Sequence, residues 1–509
     1  MKVTKRDITD AFALLAITAT LVYIITRTTL FLFAEYKLVE KGFAFLLIMG
    51  EFFVLMHGMG YSLSIFQVFK KQKEKQQKDA LSKSRLKLEP SVAILVAARH
   101  EPKEVMEDTF ITINNINYKN KTVYLLDDST EDRYKRESEE LASEYNLVLF
   151  RRKGPMHGAK AGVINDWLLE KFPADYITIF DADQNPLPEF LNEIIPILEN
   201  DKKLAFVQTP QFYTNIAESA VARGAAFQQA VFYEYICESK SLGDSMFCCG
   251  TNIVFRRRAL EEVGGLDEST VTEDFATSVK LHARRWKSLY YGHTSAFGMG
   301  PESLSAYFKQ QFRWAAGTIA VFKKLIRQFF THPFSLTFRQ WREYFLSSTY
   351  YFIGIAFYIL MLCPVIYLLF KIPSFFAQPE IYLLAFLPYI VLSVGIFYII
   401  LKKRNYSPKD LFLGQLLGIC AFSVYIRAAF AALAGVKTTF GITEKSKVKA
   451  ISYIRLWPQL AMIFLNLIAI IWGINRFIYE QEVAILVNGF WATYHLFILS
   501  SVFYFNRGR

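Results

Sequence analysis

Charged residues are scarce in this sequence: Asp, Glu, Lys and Arg together make up 20% of its 509 residues. Water-soluble chains usually carry about 25% charge. Hydrophobic residues make up 53% of the chain and aromatic residues 16%. This composition excludes an ordinary soluble enzyme and also a disordered chain, so it favours a membrane protein with room for two or three domains.

Cysteine is scarce as well and shows no pattern. The five cysteines, an odd number, are Cys237, Cys248, Cys249, Cys363 and Cys420. They have neither metal-ligand spacing nor the arrangement of a disulfide framework, which suits a reducing cytosol. The net charge of +12 would suggest nucleic acid as the partner of a soluble protein. In a membrane protein, positive charge collects on cytoplasmic loops, so we expect no nucleic-acid partner.

Long apolar runs, each able to cross about 30 Å of hydrocarbon, lie in two groups. The N-terminal run is too long for a signal peptide and leads into a second run. We predict two N-terminal spans in residues 1–69, followed by a basic cytoplasmic linker over 70–90, and four further spans within 344–509. The six predicted spans cover about residues 8–33, 42–68, 344–370, 381–401, 453–472 and 483–505.

A seventh apolar run covers residues 411–435. It carries Arg427, and if it crossed the membrane, Lys445 and the lysines near it would face outside. Because basic loops stay inside, we expect this run to be an interfacial helix lying on the membrane. The lysines of the 70–90 linker, on the same rule, place both termini of this multi-pass protein in the cytoplasm. We expect the protein to lie in the plasma membrane.

Residues 91–300 have a different pattern. Short β-branched and aliphatic runs begin near Val92, Val123, Leu147, Tyr176 and Leu204, and helix-like stretches separate them. Such runs are typical of buried parallel strands with helical crossovers. We therefore predict a cytoplasmic α/β domain over 91–300 between the two membrane groups, followed by amphipathic interface helices over 301–343. Ligand groups in such sheets lie past the carboxyl ends of the strands.

Two acidic motifs occupy such positions. Asp127-Asp128 follows the second predicted strand, and Asp181-Ala182-Asp183 follows the fourth. Carboxylates there can bind a hard divalent cation that bridges to a diphosphate. Either motif alone is more often a turn or cap. Two of them on strand ends of one sheet favour a functional site.

Three further motifs each have an ordinary structural alternative. Lys160 follows a Gly-containing loop and can neutralise phosphate, although such loops are common, and His157 in that loop is more simply structural. Thr272-Glu273-Asp274 can be an N-cap with an acidic first turn. Gln310 opens a segment ending in Arg313-Trp314, where Arg and Trp can anchor a helix at the membrane surface.

Taken together, these motifs resemble the processive membrane glycosyltransferases of family 2, which include cellulose, curdlan, chitin and hyaluronan synthases. That family carries an Asp-Asp pair, a DxD, a TED and a Q(Q/R)xRW in this order, and all four occur here. The segments Gln208–Pro210 and Phe247–Asn252 resemble the cellulose synthase branch. Residues 440–445, within a predicted gating loop over 436–450, resemble its FxVTxK loop, with Ile442 where Val is usual.

The resemblance implies a GT-A type, Rossmann-like domain that uses a UDP-sugar donor, with UDP-glucose favoured, and Mg²⁺ or Mn²⁺. It implies a growing polysaccharide as acceptor and membrane lipid around the spans, with accessory export subunits possible. It implies that Asp274 is the general base, with Glu273 and Thr272 beside it. The other implied roles are donor binding by Asp127, Asp128, Lys160, Asp181, Gln310 and Arg313, metal binding by Asp183 and Asp181, acceptor binding by Trp314, Cys249 and Gly250, and gating by Phe440, Ile442, Thr443 and Lys445.

The expected function is therefore that of a processive, inverting β-glucan synthase that also secretes its product. Glycosidic linkage stays open. The alternatives are a synthase of another β-linked polysaccharide, containing GlcNAc or uronate or forming a capsule, and a non-processive lipid glycosyltransferase. A transport protein without chemistry would need neither Lys160 nor Asp274. We expect no PilZ domain for cyclic di-GMP, since the chain ends a few residues after its last predicted span.

Overall fold

A computed structural model describes residues 5–70, 80, 88–293, 296–374, 379–402, 406–436 and 450–507 of the chain. Two helices come first, α1 (Lys5–Phe33) and α2 (Leu38–Lys70), and an α/β domain follows them. Long apolar helices make up most of the remainder. The predicted order, with an α/β domain between two groups of apolar helices, is confirmed.

A seven-stranded sheet forms the centre of the α/β domain, in the order β3-β2-β1-β4-β8-β6-β9. Its strands are β1 (Val92–Ala98), β2 (Lys121–Asp127), β3 (Val148–Phe150), β4 (Tyr176–Asp181), β6 (Leu204–Gln208), β8 (Ile253–Arg256) and β9 (Lys287–Tyr290). The five predicted strands are all present. A smaller sheet joins β5 (Asn185–Pro186), β10 (Ala296–Gly298) and β7 (Phe212–Tyr213).

The main sheet is mixed, whereas the sequence pattern predicted parallel strands. Strand β8 runs antiparallel to both of its neighbours, β4 and β6, and the other pairs are parallel. The pattern could not reveal this, because a strand buried on both faces is a continuous apolar run in either direction.

Helices cover both faces of this sheet: α3 (Lys103–Asn114), α4 (Asp132–Glu144), α5 (Ala159–Leu169), α6 (Phe190–Asn200), α9 (Arg257–Glu262) and α10 (Glu273–Ala283). Successive strand residues point to opposite faces. Ile94 accordingly packs in one core with Phe110, and Leu95 packs in the other with Trp167. All four side chains are buried, and each contributes about 1.5–3 kcal/mol of hydrophobic stabilisation. The two cores hold the strand ends in fixed positions.

Further helices of the domain pack against the C-terminal apolar helices, since Val221 and Ala225 share a core with Leu417. The α7 helix (Ala220–Val231) continues through a π-helical turn, Phe232–Cys237, into the short α8 (Glu238–Ser241). Two longer helices, α11 (Leu304–Thr331) and α12 (Phe338–Thr349), follow the sheet. Each begins at a hydroxyl N-cap: Ser303 Oγ accepts from Ala306 N, and Thr337 Oγ1 accepts from Gln340 N. These helices occupy the region predicted to hold interface helices.

The C-terminal apolar helices are α13 (Ile353–Phe370), α14 (Pro379–Lys402), α15 (Pro408–Cys420), α16 (Phe422–Leu433), α17 (Trp457–Glu480) and α18 (Val483–Phe505). Within the described residues, five segments are long and apolar enough to cross a membrane, and each coincides with a predicted span. They are Ala11–Phe33, Phe338–Phe370, Glu380–Tyr398, Tyr453–Glu480 and Val483–Phe505. The predicted span over 42–68 lies within α2, which is not one of these five.

Residues 411–435 form two helices where the sequence suggested one. The α15 and α16 helices meet at Ala421 with a bend of 47° and together can make a sixth crossing segment. They pack against the α/β domain, since Arg223 of α7 pairs with Asp410 at 2.7 Å. Gly354 of α13 permits the close approach of α16, because a β-carbon there would lie 2.7 Å from Phe422 O. The interfacial placement of this segment remains a prediction.

Candidate active site

A cleft of about 450 Å³ lies at the carboxyl ends of β1 and β4, with α11 along one side. It brings together residues that are up to 217 positions apart in the sequence, from Ala97 to Trp314. The predicted site residues that line it are Asp128, Lys160, Asp181, Asp183, Cys249, Gly250, Thr272, Glu273, Asp274, Gln310, Arg313 and Trp314. The gating residues Phe440, Ile442, Thr443 and Lys445 lie outside the described residues.

The two carboxylates of the Asp-Asp pair have different surroundings. Asp128 lines the cleft and forms an ion pair with Arg152, from Oδ1 to Nε at 2.9 Å. Burial raises the pKa of Asp128, and the charges of Arg152 and Arg99 partly offset that effect. Asp127 is not among the lining residues; its Oδ2 pairs with Arg151 Nε at 2.8 Å, and its Oδ1 accepts from Ser129 N.

Lys160 reaches the cleft from the first turn of α5. The chain enters that helix through Gly158 and Ala159, whose φ angles of +60° and +46° are in the left-handed region. Lys160 Nζ forms an ion pair with Asp181 and donates to Gly250 O at 2.8 Å. Burial lowers the pKa of Lys160, but the Asp181 carboxylate more than offsets this and leaves the pKa raised. A positive charge is therefore fixed beside Asp181, the first DxD carboxylate.

His157, the residue directly before this entry, lies outside the cleft lining. Its Nδ1 contacts Glu268 Oε2 at 2.7 Å, and this carboxylate occupies the space that a β-carbon at Gly158 would need. The hydrogen bond to Glu268 raises the pKa of His157. These contacts favour the structural role for His157 that the sequence suggested.

Asp181 and Asp183 supply the oxygen atoms that a hard divalent cation prefers. Among the described residues, no group of three or more His, Cys, Asp or Glu side chains is placed to hold a metal ion. Mg²⁺ commonly binds proteins through one or two carboxylates, completing its shell with waters and substrate phosphates. The two carboxylates in this polar cleft therefore fit a cation shared with a diphosphate, and not a metal site complete in protein ligands.

Asp274 lies in the first turn of α10. Its Oδ1 accepts from Phe275 N at 2.7 Å, and its Oδ2 faces Gly250, where a β-carbon would lie 3.2 Å away. Burial, followed by repulsion from Glu273, raises the pKa of Asp274 to about 7. Burial likewise raises the pKa of Glu273, against the opposing charges of Lys160 and Arg313. A carboxyl group with a pKa near neutrality is well matched to take up a proton.

The capping alternative for the Thr272–Asp274 motif receives little support. Thr272 is the N-cap residue of α10, yet its side chain makes no capping hydrogen bond. It packs instead against α11 at Gly317, where a β-carbon would lie 2.6 Å from Thr272 Cγ2. This contact brings the first turn of α10 close to the helix that carries Trp314.

The α11 helix closes the cleft with Gln310, Arg313 and Trp314. Behind them, the buried Gln311 accepts a hydrogen bond from Tyr425 of α16, from Oη to Oε1 at 3.1 Å. Arg313 and Trp314 therefore face the polar cleft while the opposite face of α11 contacts the C-terminal helices. This geometry favours the site interpretation over the membrane-anchor interpretation of the pair.

Sequence reasoning assigned no role to Gln208, although the Gln208–Pro210 segment carries part of the resemblance. The Gln208 side chain is fully buried at the end of β6. Its Oε1 accepts from Cys249 N at 2.8 Å, and its Nε2 donates to Thr251 O at 2.8 Å. These bonds hold the loop in which Gly250 adopts a φ of +84° beside Asp274.

Other residues that line the cleft were not identified by the motifs. They are Arg99, His100, Glu101, Gln211, Tyr213 and Glu302.

Comparisons with known proteins find similarity to glycosyltransferases. The sequence model of "Glycosyl transferase family group 2" matches residues 176–400, which include the DxD, TED and QxxRW motifs. The catalytic chain of a UDP-forming cellulose synthase from Dictyostelium discoideum is 34% identical over 51% of this chain and 25% of its own length. The corresponding UDP-forming catalytic chain from Pseudomonas fluorescens is 26% identical over 81% of this chain and 56% of its own length.

This chain thus spans between a quarter and just over half the length of these two relatives. Among solved structures, a mannosyltransferase from Pyrobaculum calidifontis in complex with GDP-Man and Mn²⁺ matches with a TM-score of 0.49 at 14% identity, over 75% of this chain and 99% of that one. Residues 176–400 are thus similar to glycosyl transferase family group 2, and the mixed α/β sheet agrees with the α/β domain expected from the sequence.

Proposed function

We propose that this protein is a processive, inverting glycosyltransferase that polymerises a β-linked glucan from UDP-glucose and secretes it through its own membrane helices. The observation that carries the proposal is the composition of one cleft. Lys160, Arg313 and the DxD carboxylates lie there with Asp274 and with Trp314. Side chains that could bind a diphosphate donor, take up a proton and support a sugar ring are thus available at one place.

Donor binding is assigned to the cleft residues near β2, β4 and α11. Asp128 hydrogen-bonds the nucleoside end, and Lys160 and Arg313 offset the negative charge of the diphosphate, with Gln310 beside them. Fixed cations act where charge develops on the leaving group and can each lower the barrier by several kcal/mol. Asp127, which pairs with Arg151, would support Asp128 from behind.

Asp183, with Asp181, would hold Mg²⁺ or Mn²⁺ against the donor. Such a cation supplies Lewis-acid stabilisation of the departing diphosphate. Asp181 also keeps Lys160 in place through their ion pair. One carboxylate therefore serves both the cation and the lysine.

Asp274 acts as the general base. It takes the proton from an acceptor hydroxyl, whose oxygen forms a bond to the anomeric carbon while the bond from that carbon to the diphosphate oxygen breaks, and UDP leaves. This single displacement inverts the anomeric centre, so an α-linked donor gives a β-linked product. Glu273 and Thr272 maintain the position of the base, and the repulsion from Glu273 helps to raise its pKa to about 7.

The acceptor end of the cleft is formed by Trp314, Cys249 and Gly250. The indole face of Trp314 matches the C–H face of a sugar and would hold the terminal unit of the growing chain. The gating loop, Phe440, Ile442, Thr443 and Lys445, is proposed to close over the donor. The growing polysaccharide is proposed to leave the cleft along α11, towards α16 and the neighbouring apolar helices. These helices are in contact with α11.

In this proposal the protein crosses the plasma membrane six times, with the cleft and both termini in the cytoplasm. Five apolar segments support multiple crossings, α2 is the sixth proposed span, and the bent α15–α16 pair is proposed to lie at the membrane surface. Other β-linked polysaccharides containing GlcNAc or uronate, and a lipid-linked sugar, are the competing products. Trp314 in the cleft favours a polymer, since a single transfer to lipid does not require a platform for a sugar chain.

The test is a donor panel on the purified full-length chain in nanodiscs. UDP release is measured with UDP-glucose, UDP-GlcNAc and UDP-glucuronate, each with Mg²⁺ or Mn²⁺, and any polymer is digested with linkage-specific glucanases. The proposal expects UDP release from UDP-glucose and a glucanase-sensitive polymer, both absent in Asp274→Asn. Turnover of UDP-GlcNAc alone would reassign the product, and no turnover of any UDP-sugar would overturn the proposal.

A further inference from the structure

Arg152 is a buried guanidinium that joins three segments near the cleft, and none of the motifs includes it. It lies two residues after β3, and its side chain is 6% exposed. Its Nε lies 2.9 Å from Asp128 Oδ1, and its Nη2 lies 3.3 Å from Asp128 Oδ2. Two guanidinium nitrogens therefore lie beside both oxygens of one carboxylate: Nη2 donates a hydrogen bond to Oδ2, and Nε lies at ion-pair distance from Oδ1 without forming a hydrogen bond.

The same guanidinium also reaches the loop that precedes Lys160. Nη1 donates to His157 O at 2.9 Å, and Nη2 donates to Ala159 O at 3.2 Å. A further oxygen, Asp166 Oδ2 of α5, lies 3.5 Å from Nη1. Because Ala159 adopts a left-handed φ of +46°, a conformation unfavourable for a residue with a β-carbon, the loop needs external support. The bonds from Arg152 provide it immediately before Lys160.

We infer that Arg152 is a positioning residue for the nucleotide: it fixes the Asp128 carboxylate relative to the loop that carries Lys160. This inference rests on the proposed function, since it concerns the donor side of the same cleft. Arg152 does not line the cleft and so acts only through its two partners. The distance between the groups assigned to the two ends of UDP is thereby set before the nucleotide arrives.

Lysine cannot replace arginine in this role. The ammonium group of a lysine would keep the positive charge beside Asp128. It lacks the several nitrogen atoms of the planar guanidinium group, which contact both carboxylate oxygens and two carbonyl groups at once. Arg152→Lys should therefore raise the Kd of UDP by about tenfold or more, the usual size for loss of a hydrogen bond between charged groups. The fold should persist, because no buried charge is left without a counter-charge.

Arg256 offers a matched control for the Arg152→Lys substitution, because its guanidinium group also donates to backbone carbonyl oxygens. Its Nε donates to Leu204 O at 3.0 Å, and its Nη1 donates to Tyr176 Oη at 2.9 Å. Tyr176 is the first residue of β4, whereas Asp181 is the last. The two ends are about 16 Å apart at the rise of a β-strand. Arg256→Lys should lower the unfolding temperature and leave the Kd of UDP unchanged.

The experiment measures UDP binding by calorimetry, with Mg²⁺ present, on purified full-length wild type, Arg152→Lys, Asp128→Asn, their double variant and Arg256→Lys. Since Arg152 acts through Asp128, the increase in Kd for the double variant should be well below the product of the two single increases. Increases that multiply, or an unchanged Kd for Arg152→Lys, would overturn the inference. A wild type that does not bind UDP would instead overturn the proposed function, and the inference with it.

A second measurement covers the case in which Arg152→Lys does not fold. Hydrogen–deuterium exchange is followed in Asp128→Asn, where the carboxylate that anchors the guanidinium is gone. Amides of residues 153–160 should exchange faster than in wild type, while those of β8, which ends at Arg256, stay protected. Equal exchange of residues 153–160 in both proteins would show that Asp128 and Arg152 do not support the loop, and would overturn the inference.

Discussion

The protonation of Asp274 should control the pH dependence of transfer. Its pKa is raised to about 7 by burial and then by Glu273. A general base must be ionised, so kcat/KM should be constant above neutrality and fall as the pH drops through this value. At pH 6, one unit below the pKa, about a tenth of the molecules carry an ionised Asp274, and the rate should be about a tenth of its plateau.

Two variants test the cause of this shift. Glu273→Gln removes a neighbouring negative charge, so the acid limb of the kcat/KM profile should move to lower pH. Asp274→Asn should bind UDP but lose transfer by at least about 10²-fold, the usual range for removal of a general base. The assay is UDP release between pH 5.5 and 8.5, measured as kcat/KM because that ratio reports the free enzyme. A flat wild-type profile, or near-normal transfer by Asp274→Asn, would refute the assignment.

The same raised pKa has a consequence for stability that does not depend on turnover. The folded-state pKa of about 7 lies above the ordinary aspartate value of 3.8, so stability is full below about pH 4 and is lost as the pH rises towards 7. At pH 8 the ionised carboxylate costs up to about 4 kcal/mol. Asp274→Asn, whose amide oxygen can still accept from Phe275 N, should therefore unfold at a higher temperature than wild type at pH 8. An equal or lower unfolding temperature would mean that the carboxylate is not destabilised by burial.

Three further outcomes are expected. Asp183→Ala and, reversibly, EDTA should abolish UDP release, while Ala at the exposed Glu189 should not; full activity in EDTA would exclude a required cation. Trp314→Ala should impair polymer formation far more than UDP binding, and a collapse of UDP affinity would make it a structural residue. A cysteine at Ser446, outside the described residues, should resist impermeant thiol reagents in intact cells and react in inverted vesicles, and labelling from outside would contradict the cytoplasmic gating loop.

Much of the fold followed from hydrophobic pattern. The strands at Val92, Val123 and Tyr176 were predictable because buried parallel strands are continuous apolar runs bounded by polar residues. The short strands β8 and β9 were not, since four-residue runs next to charged residues resemble loops. The bend between α15 and α16 was also missed, because composition predicts an apolar run without predicting where its helix breaks.

The site was predictable where a residue type carries its chemistry at a strand end or in a recognised motif. Asp181, Asp183 and Asp274 belong to this group, and all three line the cleft. The tertiary partners of the site residues were not predictable. Gln208 bonds to a loop 41 positions away, and Asp127 is held by Arg151, 24 positions away. Such partners are determined by how strands assemble, and the local pattern does not contain that information.

The central claim is that one chain both polymerises and secretes a glucan, and sealed proteoliposomes test it directly. The purified chain is inserted with its catalytic domain outside and is given UDP-[¹⁴C]glucose with Mg²⁺. We predict high-molecular-weight label that resists β-glucanase until detergent opens the vesicles, and none with Asp274→Asn. Label that is extracted with lipid, or polymer that β-glucanase digests without detergent, would contradict the claim.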